Sequence, residues 1–203
     1  MRLVNNSVHK LNAIANDSMT AITIDAAGWL QTVDVVPSPN FDARPESDKI
    51  RLIVIHGISL PPGEFGGGYI EKFFCNNLDP DAHPYFAEIG DMRVSAHCLI
   101  ERDGRIVQFV SFLDRAWHAG VSDWCGQDNC NNFSIGIELE GTDELAYSEL
   151  QYASLANLVK SLRLQYGDIA SDSICGHSDI APGRKTDPGA AFDWHRFRQS
   201  LAL

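Results

Sequence analysis

The sequence predicts an α/β fold, a single domain with a central mixed β-sheet flanked by helices. Three observations carry this reading. Short apolar runs bounded by turn residues, at 51–56, 133–139 and 173–175, have the character of buried strands. Residues 95–100 and 106–110 alternate on either side of Asp103-Gly104, a strong hairpin turn, so at least one pair is antiparallel. A long helical pattern beginning at Ser148 lies between the later strands, and strands interleaved with helices build a mixed sheet covered by helices.

Taken in order, residues 1–25 read as an N-terminal tail and 26–203 as the domain. Residues 1–18 are polar and lack a sustained period, and Met19 stands just ahead of the first stretch with structured character, which makes it a candidate alternative start. Pro37-Ser38-Pro39-Asn40 is expected to run extended over the surface, and 45–49 to be loop. The first firm strand is 51–56. Two prolines and four glycines exclude helix from 60–68. Ile70, Phe73 and Phe74 fall at helical spacing in a short helix over 69–74 that ends near Asn76-Asn77, after which Pro80 and Pro84 are expected to return the chain to loop. In the strand 133–139, period two puts Glu138 and Glu140 on one face. Ser148 and Gln151 have the capping-box spacing; the helix they open carries a core stripe of Tyr152, Leu155, Leu158, Val159, Leu162 and Tyr166, with Gly167 placed to cap its end.

The 203 residues, 44% hydrophobic and 21% charged, suffice for one sizeable core. A formal net charge of −11 argues against nucleic acid or an anionic membrane as partner, because both reward basic clusters. The five cysteines (Cys75, Cys98, Cys125, Cys130 and Cys175) contain no CxxC pair and read as reduced thiols; Cys125 and Cys130 are the one pair close enough in sequence for a loop bridge. There is no apolar signal-peptide region near the start and no run of about 18 apolar residues, so the expected location is the cytoplasm, with no membrane partner and a monomer assumed.

The densest chemistry lies in 176–189, Gly-His-Ser-Asp-Ile-Ala-Pro-Gly-Arg-Lys-Thr-Asp-Pro-Gly. His177 follows the strand 173–175, and His56 ends the strand 51–56. If these strands are neighbours, His56, His177 and Asp187 converge, and two imidazoles with one carboxylate suit a catalytic zinc that keeps a fourth position open. Read alone, Asp187 is equally a turn residue ahead of Pro188-Gly189, and Lys185 is either a solvated lysine or a cation placed to stabilise an oxyanion. Spacing does not choose between Glu138 and Glu140. His9 and His195 read as tail and surface residues.

Several ordered blocks carry a resemblance. They are the stretch 36–42 (Val-Pro-Ser-Pro-Asn-Phe-Asp), His56-Gly57-Ile58 with the Pro/Gly loop after it, Arg93-Val94-Ser95-Ala96-His97, Arg115-Ala116-Trp117-His118-Ala119-Gly120, the strand through Glu138-Leu139-Glu140, and the 176–189 loop. From Val36 to Phe197 the chain resembles the AmpD-type N-acetylmuramoyl-L-alanine amidases of the zinc amidase and peptidoglycan-recognition superfamily. The resemblance implies Zn2+ held by His56, His177 and Asp187, Glu138 as general base and Lys185 as oxyanion stabiliser, with Arg93, His97, Trp117 and His118 at the substrate. It implies hydrolysis of the amide between N-acetylmuramic acid and L-alanine in small 1,6-anhydromuropeptides during cytoplasmic wall recycling. Two rivals are an amidase acting on intact wall and a non-catalytic muropeptide-binding module; presence of all three candidate ligands with Glu138 and Lys185 speaks against the module. The chain departs from many relatives at Gly57, where they have Asn, and in 123–132, which lacks the basic residues several of them carry.

Overall fold

The computed structural model of the protein describes residues 22–201. The tail expected over 1–25 lies outside these as far as residue 21, Met19 included; Ile22 and Ile24, partly buried, pack on the larger core, and Ile24 bridges Leu30. The strands are β1 Asp34–Val35, β2 Phe41–Ala43, β3 Leu52–Ile58, β4 Cys98–Ile100, β5 Ile106–Gln108, β6 Asp114–Ala116, β7 Asp123–Trp124, β8 Gln127–Asp128, β9 Ser134–Glu140 and β10 Ile174–Gly176. The helices are α1 Tyr69–Phe74, α2 Pro84–Ile89, α3 Glu149–Gln165, α4 His177–Ile180 and α5 Trp194–Leu201.

Six strands form the main sheet in the order β1-β5-β4-β9-β3-β10. Its β4–β5 pair is antiparallel, as the Asp103-Gly104 turn requires, and every other neighbouring pair is parallel. The hairpin strands are shorter than their alternation predicts: the regular ladder stops at Cys98 and Gln108, beyond which a bond from Phe109 N to His97 O is the continuation. Both faces of the central strands are covered, which explains why β3 and β9 read as nearly continuous apolar runs.

Alternation divides the sheet into two unlike faces. Ile53 and Ile55 of β3 and Ile135, Ile137 and Leu139 of β9 turn towards α3, whose Leu155, Leu158, Val159 and Leu162 complete the larger core with Phe192 and Phe197. The intervening residues, Leu52, Val54 and His56 on β3 and Ser134, Gly136, Glu138 and Glu140 on β9, occupy the opposite face. There the apolar cluster of Leu52, Val54, Phe133, Cys175 and Ile180 stops short of the strand ends, and polar groups take over. A third cluster, including Phe73, Phe74, Phe86, Leu99 and Phe109, supports α1 and α2 beside that polar end.

Three local expectations are corrected. Pro84 does not return the chain to loop but opens α2, since a proline at the first helical turn forfeits no hydrogen bond; the His83 side chain accepts from Tyr85 N at 3.1 Å. The 37–40 stretch is tethered rather than lying over the surface. Ser38 and Asn40 are buried, and both donate to Phe74 O at the end of α1, with Asn40 also donating to Val94 O. Gly167 follows Tyr166, the cap residue of α3, at the place for a left-handed glycine, but its φ is not positive, so it supplies no left-handed cap.

The start of α3 follows its sequence signature. Gln151 N donates to Ser148 Oγ at 3.1 Å and Ser148 N donates to Gln151 Oε1 at 3.0 Å, while Ser148 Oγ donates to Arg102 O. Ser148→Ala removes both roles of that hydroxyl and should lower unfolding free energy by about 1 kcal/mol, the usual cost of a lost N-cap. Leu150→Ala, at an exposed position of the same turn, should change it by less than about 0.5 kcal/mol. Equal urea midpoints for Ser148→Ala and the unaltered protein would show that the cap contributes nothing.

Candidate active site

Three parallel strands, β9, β3 and β10, present their carboxyl ends side by side, the place where α/β sheets open their ligand crevices. Register puts His56 of β3 directly opposite Glu138 of β9, and Ile55 opposite Gly176, so His177 emerges one residue beyond the sheet. The loop after α4 then folds back. Arg184 N and Lys185 N donate to Ala181 O, and Ser178 N donates to Asp187 O at 3.0 Å. Asp187 is thereby returned to the two imidazoles.

The result is a tight group. His56 Nδ1 and His177 Nδ1 are 3.0 Å apart, and Asp187 Oδ2 lies 3.3 and 3.1 Å from them. One ligand atom from each residue falls within 4.8 Å of the others. Two imidazole nitrogens and one carboxylate oxygen are a donor set that fits zinc with a coordination position to spare. The backs of the rings are engaged as well: His177 Nε2 donates to Ala119 O at 3.1 Å, and His56 Nε2 lies 2.9 Å from His118 Nδ1.

Electrostatics follow from burial. His56, completely enclosed, is pushed down to about 4, with burial as the main cause and the hydrogen bond to Asp187 opposing it. Burial alone would raise the Asp187 carboxyl, yet the hydrogen bonds and positive charge that His177 and His56 offer when protonated hold it far below the carboxylate range. Glu138 goes the other way. Burial, aided by the negative charge of Asp187, raises it well above an ordinary glutamate, against the pull of Lys185. Its Oε2 is buried without a protein partner, an orphan polar atom among groups that line a cavity.

That cavity has a volume of about 740 Å³. His56, Glu138, His177 and Asp187 lie at one part of it, with Lys185 exposed at the edge and Phe73, Phe74, Ile89, Met92 and Trp117 forming apolar wall. The pair that spacing left open is separated here. Glu140 does not line the cavity; its carboxylate accepts from Gly66 N and Arg102 N, tying the glycine-rich loop to the sheet.

Of the four residues expected at the substrate, Trp117 and His118 line the cavity and the other two do not. His97 is fully buried, its Nδ1 accepting from Gly136 N and its Nε2 lying near Arg44 and Asp114 O. Arg93 is exposed and donates to Gly90 O and Met92 O. All five cysteines are free. His195 is exposed and His9 lies outside the described residues. Sequence reasoning passed over Tyr147, whose hydroxyl donates to Pro188 O at 3.0 Å beside Asp187. The signal for it is glycine: a Cβ at Gly57 would meet the Tyr147 hydroxyl at 2.5 Å, and one at Gly141 would meet its ring at 2.4 Å. Gly57, the departure noted above, makes room for this brace.

The profile of the family described as N-acetylmuramoyl-L-alanine amidase matches residues 46–190. The 1,6-anhydro-N-acetylmuramyl-L-alanine amidase AmpD of Salmonella typhimurium (strain SL1344) is 60% identical over 176 residues, 87% of this chain and 94% of that protein. The crystal structure of a Se-Met AmpD derivative matches with a TM-score of 0.86 at 55% identity, covering 89% of this chain and 100% of that one. AmpDh3 of Pseudomonas aeruginosa, solved in complex with anhydromuramic pentapeptide, matches with a TM-score of 0.56 at 29% identity, covering 88% of this chain and 66% of that one.

The Tyr147 brace gives a coupling that can be measured. Gly57→Ala should destabilise by about 1–3 kcal/mol, the range for overpacking a filled site. In a Tyr147→Phe background, where the clashing hydroxyl is gone, the same change should cost at least about 1 kcal/mol less. Additive effects in the double-mutant cycle would mean that the hydroxyl is not what position 57 accommodates.

Proposed function

The chain belongs to the N-acetylmuramoyl-L-alanine amidase family, and from that membership we propose its reaction in full: hydrolysis of the amide joining the lactyl group of 1,6-anhydro-N-acetylmuramic acid to L-alanine in small muropeptides. The observation that carries it is the join of a buried His56–His177–Asp187 donor group to an unpartnered Glu138 carboxylate oxygen in one cavity. About 740 Å³ lies within the usual range of small-molecule sites, roughly 300–1,000 Å³. No helix among the described residues is long and apolar enough to cross a membrane. A cytoplasmic place in wall recycling is part of the proposal, resting on the anhydro substrate named for the relatives.

His56, His177 and Asp187 are the residues that would hold zinc. Bound there, zinc would supply Lewis-acid polarisation of the scissile carbonyl and acidify an attacking water towards about pH 7. Glu138 takes the proton of that water at Oε2 and returns it to the nitrogen of the departing L-alanine. Its raised pKa suits both halves of the task, because a base poised nearer neutrality is also an acid there. The Lys185 ammonium at the cavity edge stabilises negative charge developing on the carbonyl oxygen. Glu140 acts only by holding the Gly66 loop.

Mass spectrometry of products from a defined anhydromuropeptide should show the free peptide with an L-alanine amino terminus, with turnover abolished by a chelator and restored by zinc. Intact substrate under all conditions would refute the activity. Glu138→Gln should keep zinc while turnover falls by roughly 100-fold or more, the scale of a lost general base. Glu140→Gln should be far milder, and His177→Ala should lose zinc and activity together. Equal losses at 138 and 140, or a His177→Ala protein that keeps its zinc, would overturn the assignment of roles.

A further inference from the structure

A proton count around the two histidines singles out a neighbour, His118, that is not one of the three grouped donors. Ser134 Oγ has one hydrogen, and it is given to Cys130 O at 2.6 Å. The contact of 3.1 Å between Ser134 Oγ and His118 Nε2 therefore runs the other way, with His118 Nε2 donating. A neutral His118 then has a bare Nδ1. Facing His56 Nε2 at 2.9 Å, that lone pair requires the proton to sit on His56 Nε2. The neutral His56 ring is left with its own Nδ1 bare, pointing at His177 and Asp187.

His177 is fixed by the next residue along. Ala119 O can only accept, so His177 Nε2 carries the proton; Arg184 Nη2 has both its hydrogens directed to Ala119 O and Val121 O and none for this ring. The backbone amides of His118 and Ala119 both donate to Asn131 Oδ1, at 3.1 and 2.8 Å, which holds the pair in place. Space for the His118 ring comes from Gly136 in the middle of β9, where a Cβ would lie 2.4 Å from the imidazole. A glycine inside a strand marks such an approach.

We propose that His118, oriented by Ser134 and the Cys130 carbonyl, is a positioning residue that locks His56 in the tautomer with a bare Nδ1, and thereby sets the affinity of the His56–His177–Asp187 group for zinc. The inference rests on the metal reading of the preceding subsection. It makes His118 a support for the metal site rather than a substrate contact. With both tautomers fixed, three electron-pair donors meet without a proton between them, an arrangement that a cation relieves. Groups orienting metal-bound histidines act in this way generally.

The test is zinc affinity of the full chain, read by competition with a chromophoric chelator. His118→Leu removes the acceptor and should weaken zinc binding by about 10–100-fold, the usual effect of losing such a support. His118→Asn, whose Oδ1 restores an acceptor near the Nδ1 position, should return affinity to within about threefold of the unaltered protein. Unchanged affinity in His118→Leu, or equal losses in both variants, overturns the proposal. If His118→Leu does not fold, long-range ¹H–¹⁵N spectra of the unaltered zinc-loaded protein decide: a proton on His56 Nε2 with His118 bare at Nδ1 supports the relay, and a proton on His118 Nδ1 overturns it. An unaltered protein that binds no zinc refutes the metal reading itself, whereas normal binding with an indifferent position 118 refutes only this inference.

Discussion

The structure turns on one constraint: two imidazoles and a carboxylate are brought within hydrogen-bond distance of each other in a place that water scarcely reaches. Burying Asp187 as an anion is costly unless opposite charge or donors compensate. The fold meets that demand through the sheet. β3 delivers His56, β10 hands its chain directly to His177, and the α4 loop returns Asp187 under both. Tyr147 holds the end of that loop by its bond to Pro188 O.

The two faces of the sheet divide the labour. The α3 face is continuous aliphatic packing and supplies rigidity. The other face of β9 reads Ser134, Gly136, Glu138 and Glu140, and each serves a different polar end. Ser134 meets His118, Gly136 gives that ring room, Glu138 reaches the cavity and Glu140 holds the Gly66 loop. A substitution adding bulk at 136 would therefore press on His118 and, through it, act on His56.

Much of this was legible in the sequence, for reasons that differ by residue. The 148–151 capping box and the Asp103-Gly104 hairpin were readable because their determinants are local, a hydroxyl three residues from an amide or a turn that only a few residues accept. Convergence of His56 with His177 required only that two apolar strands be neighbours, which β3 and β10 are. Glu138 and Glu140 were inseparable because period two gives both the same face, and the distinction lies in the non-local amides of Gly66 and Arg102. The resemblance put His118 at the substrate, and its place behind His56 was hidden for a similar reason. Its meaning depends on His56, 62 positions away, although Gly136 inside a strand was a usable clue. Pro84 misled because a proline that breaks a helix interior equally opens a first turn. The substrate and the residue roles came from family resemblance, since spacing alone points to a candidate metal group and not to the bond that is cut.

The central claim is that His56, His177 and Asp187 are the protein's zinc ligands. X-ray absorption at the zinc edge of the purified, zinc-loaded chain tests it directly. The account predicts only nitrogen and oxygen neighbours at about 2.0–2.2 Å, with the multiple scattering of two imidazoles. A sulfur shell near about 2.3 Å would place the ion on the cysteines instead and contradict it, as would a spectrum without imidazole scattering.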